Sequence, residues 1–100
     1  MLRVFLSDVA LRDLKRLDEF LFLQQDPLAH GLLDFILDAL AVLTHQPGVG
    51  RPVGDGIREL IIVRRKSGYL AKYELDTPAE IVRVLRIRHQ RESGYTEEEV

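Results

Sequence analysis

The stretch IRELIIVRRKSGYLAKYELDTPAEIVRVLRIRHQRE (Ile57–Glu92) decides the fold, because period-2 patterning, turn chemistry and positive charge coincide within its 36 residues. Three runs rich in β-branched and aromatic residues read as strands: Ile57–Arg64, Tyr69–Leu75 and Ile81–His89. Arg65-Lys66-Ser67-Gly68 offers a glycine for a positive-φ turn position, and Asp76-Thr77-Pro78-Ala79 offers Asp and Pro for the next turn. The expected product is an antiparallel three-stranded meander. Alternation places Tyr69, Ala71, Tyr73 and Leu75 on the core face of the middle strand, with Leu70, Lys72 and Glu74 opposite. In the last strand Ile81, Arg83, Leu85, Ile87 and His89 share one face; Val82, Val84, Arg86 and Arg88 share the other, which turns basic toward its end.

Outward from the meander, the chain reads as its support. One hundred residues, 46% of them hydrophobic, predict one domain, residues 1–100, with a single core. The formal net charge of −2 conceals an uneven distribution: Ile57–Glu92 carries nine Lys/Arg against five Asp/Glu, whereas residues 1–56 carry five against eight. Cysteine is absent, which excludes disulfides, thiolate metal sites and a cysteine nucleophile and suits a reducing, cytoplasmic setting. The N-terminus lacks the apolar run of a secretory signal, and no segment reaches the roughly 18 apolar residues of a membrane span.

Val4–Leu6 reads as a short strand, followed by Ser7-Asp8 as a helix cap. Ala10, Leu14, Leu17 and Leu21 then form the stripe of an amphipathic helix to about Leu23, with Arg12, Asp13, Lys15, Arg16, Asp18 and Glu19 mostly away from it. A second helix is expected from Asp26-Pro27 to about Gln46, stopped by Pro47-Gly48. It carries two apolar stripes, Ala29, Leu32, Ile36, Leu40 and Leu43 beside Leu28, Phe35 and Val42, so two surfaces must cover it. The two helices should form an antiparallel hairpin on the sheet. Gln46–Gly56, with two Pro and four Gly, reads as a connecting loop and lacks the Gly-Lys-Ser/Thr ending of a phosphate loop. The fold class is therefore α+β: a short N-terminal strand and an α-hairpin packed on a mainly antiparallel sheet.

Catalytic templates mostly fail. There is no Gly-x-Ser-x-Gly elbow. His30, Asp34 and Asp38 recur every four residues, but the arc opposite the apolar stripes must be polar in any case, so neither a metal nor another cofactor is expected. His45 reads as a helix C-terminal residue favoured by the dipole. The basic groups of the meander, Arg58, Arg64, Arg65, Lys66, Lys72, Arg83, Arg86, Arg88 and Arg91, suit phosphates or a carboxylate-rich partner, or simply solvate an exposed sheet face.

The order strand, helix hairpin, Gly/Pro loop, meander resembles the RelE/ParE toxin superfamily of type II toxin–antitoxin systems over nearly the whole chain. The matching pieces are the Asp13-Leu14 region, Pro47-x-x-Gly50-Arg51, Ile57-Arg58-Glu59-Leu60, Gly68-Tyr69-x-x-x-Tyr73 and Ile87-Arg88-His89-Gln90-Arg91-Glu92, the last closer to the ParE branch. The resemblance implies a toxin neutralised by a cognate antitoxin in a hetero-oligomer. ParE-like members inhibit DNA gyrase; RelE-like members are endoribonucleases that cut mRNA on the ribosome. A non-toxic relative that only binds its antitoxin, or a basic sheet that binds RNA without cutting it, are further readings. For gyrase, the contact surface is expected at Arg86, Arg88, His89, Gln90, Arg91 and Glu92. A nuclease would draw on Arg58, Arg86, Arg88, His89, Arg91 and Tyr95 for phosphate contacts and proton transfer. The antitoxin is expected on Leu28, Phe35 and Val42 of the second helix with Arg58, Arg64 and Lys72 of the sheet.

Overall fold

The computed structural model describes residues 2–26 and 29–92. Its elements run β1 (Arg3–Leu6), α1 (Asp8–Leu23), α2 (Leu32–Leu40), a 3-10 turn (Ala41–Thr44), β2 (Arg51–Gly54), β3 (Ile57–Arg64), β4 (Ser67–Asp76) and β5 (Ile81–His89). The five strands form one sheet in the order β1-β5-β4-β3-β2. β1 lies parallel to β5, and the other neighbours are antiparallel. This is the expected α+β arrangement, with one strand more than the sequence reading.

Ser7 ties the first two elements to the sheet. Its Oγ accepts from the Ala10 N–H at 3.0 Å, capping α1, and donates to the Leu85 carbonyl at 2.9 Å. The apolar stripes of both helices meet the core face of the sheet: Ala10, Leu14, Leu17, Leu32, Ile36, Leu40 and Leu43 pack with Ile62, Tyr69, Ala71, Tyr73, Val82, Val84 and Ile87. Asp13 departs from its expected place among the solvated residues and is 2% exposed. With Ala10, Leu14 and Leu17 it completes an i, i+3, i+4, i+7 set, so helical geometry turns it inward.

The second helix is shorter than expected. It begins at Leu32 behind Gly31, which has φ 81°, and its last turn tightens to 3-10 at Ala41–Thr44. The cap expected at Asp26-Pro27 is not used: Asp26 lies outside the helix, and Pro27 and Leu28 lie outside the described residues. The presumed loop contains β2, which pairs with β3 at Arg51↔Glu59 and Pro52↔Arg58. Pro52 is tolerated because β2 is an edge strand.

Two alternation readings also change. β5 carries a register shift between its partners at Lys72 and Tyr73: Tyr73 faces Val84, while Ala71 faces Ile87 and Tyr69 faces His89. The extra residue switches the inward parity, so Val82, Val84, Ile87 and His89 share the core face. Leu75 is 43% exposed. β3 ends its pairing opposite Glu74, so Leu75 has a strand neighbour on one side only. The positive φ of the β3–β4 turn belongs to Arg65 (56°), not to Gly68. Gly68 is buried in β4, where a Cβ would strike the Gln90 side chain.

Candidate functional site

The end of β5, the start of β4 and the C-terminal half of α1 enclose a cavity of about 520 Å³. Leu17, Phe20, Leu21 and Tyr69 supply apolar wall, and Arg16, Asp26, Ser67, His89, Arg91 and Glu92 supply polar groups. A chain of contacts orders this corner. The Glu92 carboxylate accepts from Arg16 Nη1 at 2.9 Å and from the His89 N–H at 2.8 Å, bending the chain over the strand end. His89 Nδ1 accepts from the Arg91 N–H at 3.0 Å, so the neutral ring carries its proton on Nε2. The His89 ring meets Tyr69 edge to face at 5.2 Å.

Burial lowers the His89 pKa from the ordinary imidazole value of 6.5; Arg91 lowers it further and Glu92 opposes. Burial raises the Tyr69 pKa, partly offset by Arg64 and reinforced by Asp26. Well above pH 6.5 the His89 imidazole is neutral in both states; below it the unfolded chain takes up the proton first, so stability falls until the lower folded pKa is passed. Between pH 7.5 and 5.5 the urea midpoint of the wild type is therefore expected to drop further than that of His89→Gln. Equal drops would show that His89 contributes nothing to the acid sensitivity.

The remaining candidate residues are dispersed. Arg86 is 0% exposed: its Nε and Nη2 donate to the two Asp13 oxygens at 2.8 and 3.0 Å. The same carboxylate accepts from the Ile87 N–H at 2.9 Å. β1 ends opposite Val84, and Asp13 takes over the exposed edge of β5 beyond it. Arg86 is thus a core residue, and its expected place on a contact surface or at a scissile phosphate is corrected. Arg88 is half-buried and donates to the Glu92 carbonyl at 2.8 Å. Gln90 is exposed, with its N–H on the Gly68 carbonyl at 2.8 Å.

Arg58 sits four register rows away, opposite Tyr73 while His89 faces Tyr69, a separation of roughly 13 Å along the strand. Its Nη1 donates to the Gly50 and Gly48 carbonyls at 2.7 and 3.2 Å. That loop is fixed from the other side by Tyr73, whose hydroxyl donates to the Pro47 carbonyl at 2.6 Å and accepts from the Gly50 N–H at 2.9 Å. Tyr95, the remaining nuclease candidate, lies outside the described residues, as does Leu28 of the antitoxin set. In that set Phe35 is half-buried against the core under the Arg64 guanidinium, 5.6 Å from its ring centre, and Arg64 Nη2 donates to the His30 carbonyl at 2.7 Å. Val42 is 41% exposed, and Lys72, on the sheet face away from the helices, pairs in register with Glu59 on β3 and with Arg86 at the β5 register shift. The sequence reading missed Leu33 and Leu37, which are 40% and 44% exposed. Their i, i+4 spacing marks a third stripe on α2. It also missed Arg16, Phe20 and Tyr69 as walls of the cavity, because they come from distant elements.

Among the described residues no helix is long and apolar enough to cross a membrane. The family model for the ParE toxin of the parDE type II toxin–antitoxin system matches residues 4–94. Among functionally curated proteins none matches significantly. In fold the chain is similar to a protein of the chromosomal ParDE system of P. aeruginosa, with TM-score 0.73 and 20% identity over 89% of this chain and 96% of that one. It is also similar to a chain of the intact E. coli RelBE complex, with TM-score 0.65 and 14% identity over 92% and 100% of the two chains. A chain of the RelBE2 complex of Mycobacterium tuberculosis gives TM-score 0.56 and 23% identity over 89% and 98%. The match over residues 4–94, on an α+β fold shared with these toxin–antitoxin structures, makes this chain a member of the ParE toxin family of type II toxin–antitoxin systems.

Proposed function

We propose that the chain inhibits DNA gyrase, is neutralised by a cognate antitoxin, and does not cleave mRNA. The dispersal of the cations carries this reading. Arg86 is held by Asp13 in the core, Arg58 by loop carbonyls, and Arg88 by the chain at Glu92, so no pair of them converges on one phosphate-sized space. RelE-like nucleases tend to place Arg directly after the Gly-Tyr of the middle strand, whereas this chain has Leu70 there, 5% exposed. A missing donor at the transition state costs on the order of 3–4 kcal/mol, about two to three decades in rate. The target surface is the rim of the cavity at the β5 end, formed by His89, Arg91 and Glu92 with Arg16 and Phe20 from α1, together with the adjoining exposed Gln90. The test combines a gyrase supercoiling assay on purified protein with mapping of mRNA ends after induction in a bacterium. Inhibited supercoiling with intact mRNA is expected; codon-registered cuts with unaffected gyrase would overturn the reading.

The antitoxin site includes residues that the fold leaves exposed. Leu33, Leu37 and Val42 present apolar surface on α2 and the following turn, beside Phe35 and Arg64. An amphipathic partner helix fits such a surface, each buried side chain contributing roughly 1.5–3 kcal/mol. Leu33→Asp/Leu37→Asp is expected to lower antitoxin affinity at least tenfold, read by calorimetry, while the circular dichroism spectrum stays unchanged. Full affinity in the double variant would place the antitoxin elsewhere.

A further inference from the structure

We infer that the cavity at the β5 end is a binding site for a small planar aromatic acid, a ring body bearing a single carboxylate, held by Tyr69, His89 and Arg91. The inference concerns the interior of the cavity and is independent of gyrase as the target. Tyr69 carries it. The residue lines the cavity and is 2% exposed, yet among the described residues no hydrogen bond reaches its hydroxyl. A buried phenol ordinarily finds a partner, because burying a hydroxyl unpaired costs free energy. The hydroxyl is not sealed within the core, so what exposure Tyr69 keeps opens onto the cavity.

Further donors surround the same space. His89 stands beside Tyr69 in register, and its Nδ1 accepts from the Arg91 N–H, which leaves the neutral ring an Nε2–H to donate. Ser67 lies two residues before Tyr69 on β4, so both hydroxyls rise from one face of the strand. The Arg91 guanidinium lines the cavity with no carboxylate paired to it among the described residues. Acceptors are scarcer. The Glu92 carboxylate is committed to Arg16 and to the His89 N–H, and Asp26 is likewise engaged. An acceptor is therefore what a ligand must bring.

Charge and volume set its class. Arg16 and Glu92 neutralise each other, which leaves Arg91 as the cation for a ligand, while Asp26 on the same lining disfavours a second negative charge. A monoanion fits; a phosphate ester, with nearly two charges, does not. A bare anion would leave most of the 520 Å³ unfilled along the apolar walls of Leu17, Phe20 and Leu21. That volume lies within the range of small-ligand pockets, roughly 300–1,000 Å³. Apolar walls beside the edge-to-face Tyr69–His89 pair suit a flat ring, and the convergent donors fix its carboxylate.

The probe is cinnamate, titrated into the full chain and followed by calorimetry and by the ring resonances of Tyr69 and His89. Saturable binding with shifts at both rings is expected. Cinnamamide, which replaces the carboxylate by a neutral amide of the same shape, is expected to bind at least tenfold more weakly, and acetate alone is expected not to saturate. Tyr69→Phe removes only the hydroxyl, which has no hydrogen-bond partner to lose among the described residues. It is expected to keep the wild-type urea midpoint and to bind cinnamate at least fivefold more weakly. Arg91→Gln, at an exposed position, is expected to lose at least tenfold. No saturable binding, equal binding of the amide, or a Tyr69→Phe variant that binds as tightly as the wild type would each overturn the inference. Binding that appears only in Tyr95→Ala would assign the cavity to the chain's own residues beyond Glu92 and overturn it as well.

Discussion

Asp13→Ala is expected to destabilise the protein by about 3–5 kcal/mol, a large part of the stability of a domain this size. The carboxylate is 2% exposed and meets three donors: Arg86 Nε, Arg86 Nη2 and the Ile87 N–H. Alanine leaves a guanidinium with no exposure to water and removes the acceptor of an edge N–H. Asp13→Asn is expected to cost less, because an amide oxygen still accepts from one of these donors. Asp13→Leu/Arg86→Met, which removes both charges and fills most of their volume, is expected to recover much of the loss, since the desolvation penalty of a buried pair can equal or exceed its Coulombic gain. Chemical denaturation of the four proteins checks the series. A loss below 1 kcal/mol for Asp13→Ala would show that Arg86 finds water or another acceptor when its partner is removed.

Arg91→Glu is expected to weaken gyrase inhibition by about 2 kcal/mol or more, roughly thirtyfold in the inhibitory concentration, while leaving the fold intact. Arg91 is exposed, lines the cavity at the β5 end and uses its backbone, not its guanidinium, to hold His89. The reversed charge would also stand close to Glu92 and disfavour an acidic target surface. Arg83→Glu is a control on the same strand: Arg83 is paired with Glu74 and Asp76 at the other end of β5, so inhibition is expected to change less than threefold. A full effect at Arg83 with none at Arg91 would move the target surface to the opposite end of the sheet.

The meander, the capped first helix and the inward Tyr69, Ala71 and Tyr73 were legible in the sequence, because each rests on spacing and turn chemistry within a dozen residues. The family resemblance was legible for the same reason: its pieces are short runs in fixed order. Tertiary structure alone decided the rest. The β5 register shift, one residue long, moved His89 beside Tyr69 and left Arg86 reaching for Asp13, 73 positions away. Alternation cannot report such a shift, since one inserted residue inverts every parity after it. Asp13 and Arg86 each looked solvated beside their charged neighbours, although each sat in an apolar pattern. Their burial is determined by having each other, a pairing that exists only once α1 lies across β5. β2 was hidden in a Gly- and Pro-rich run because an edge strand needs only one partner and little intrinsic propensity.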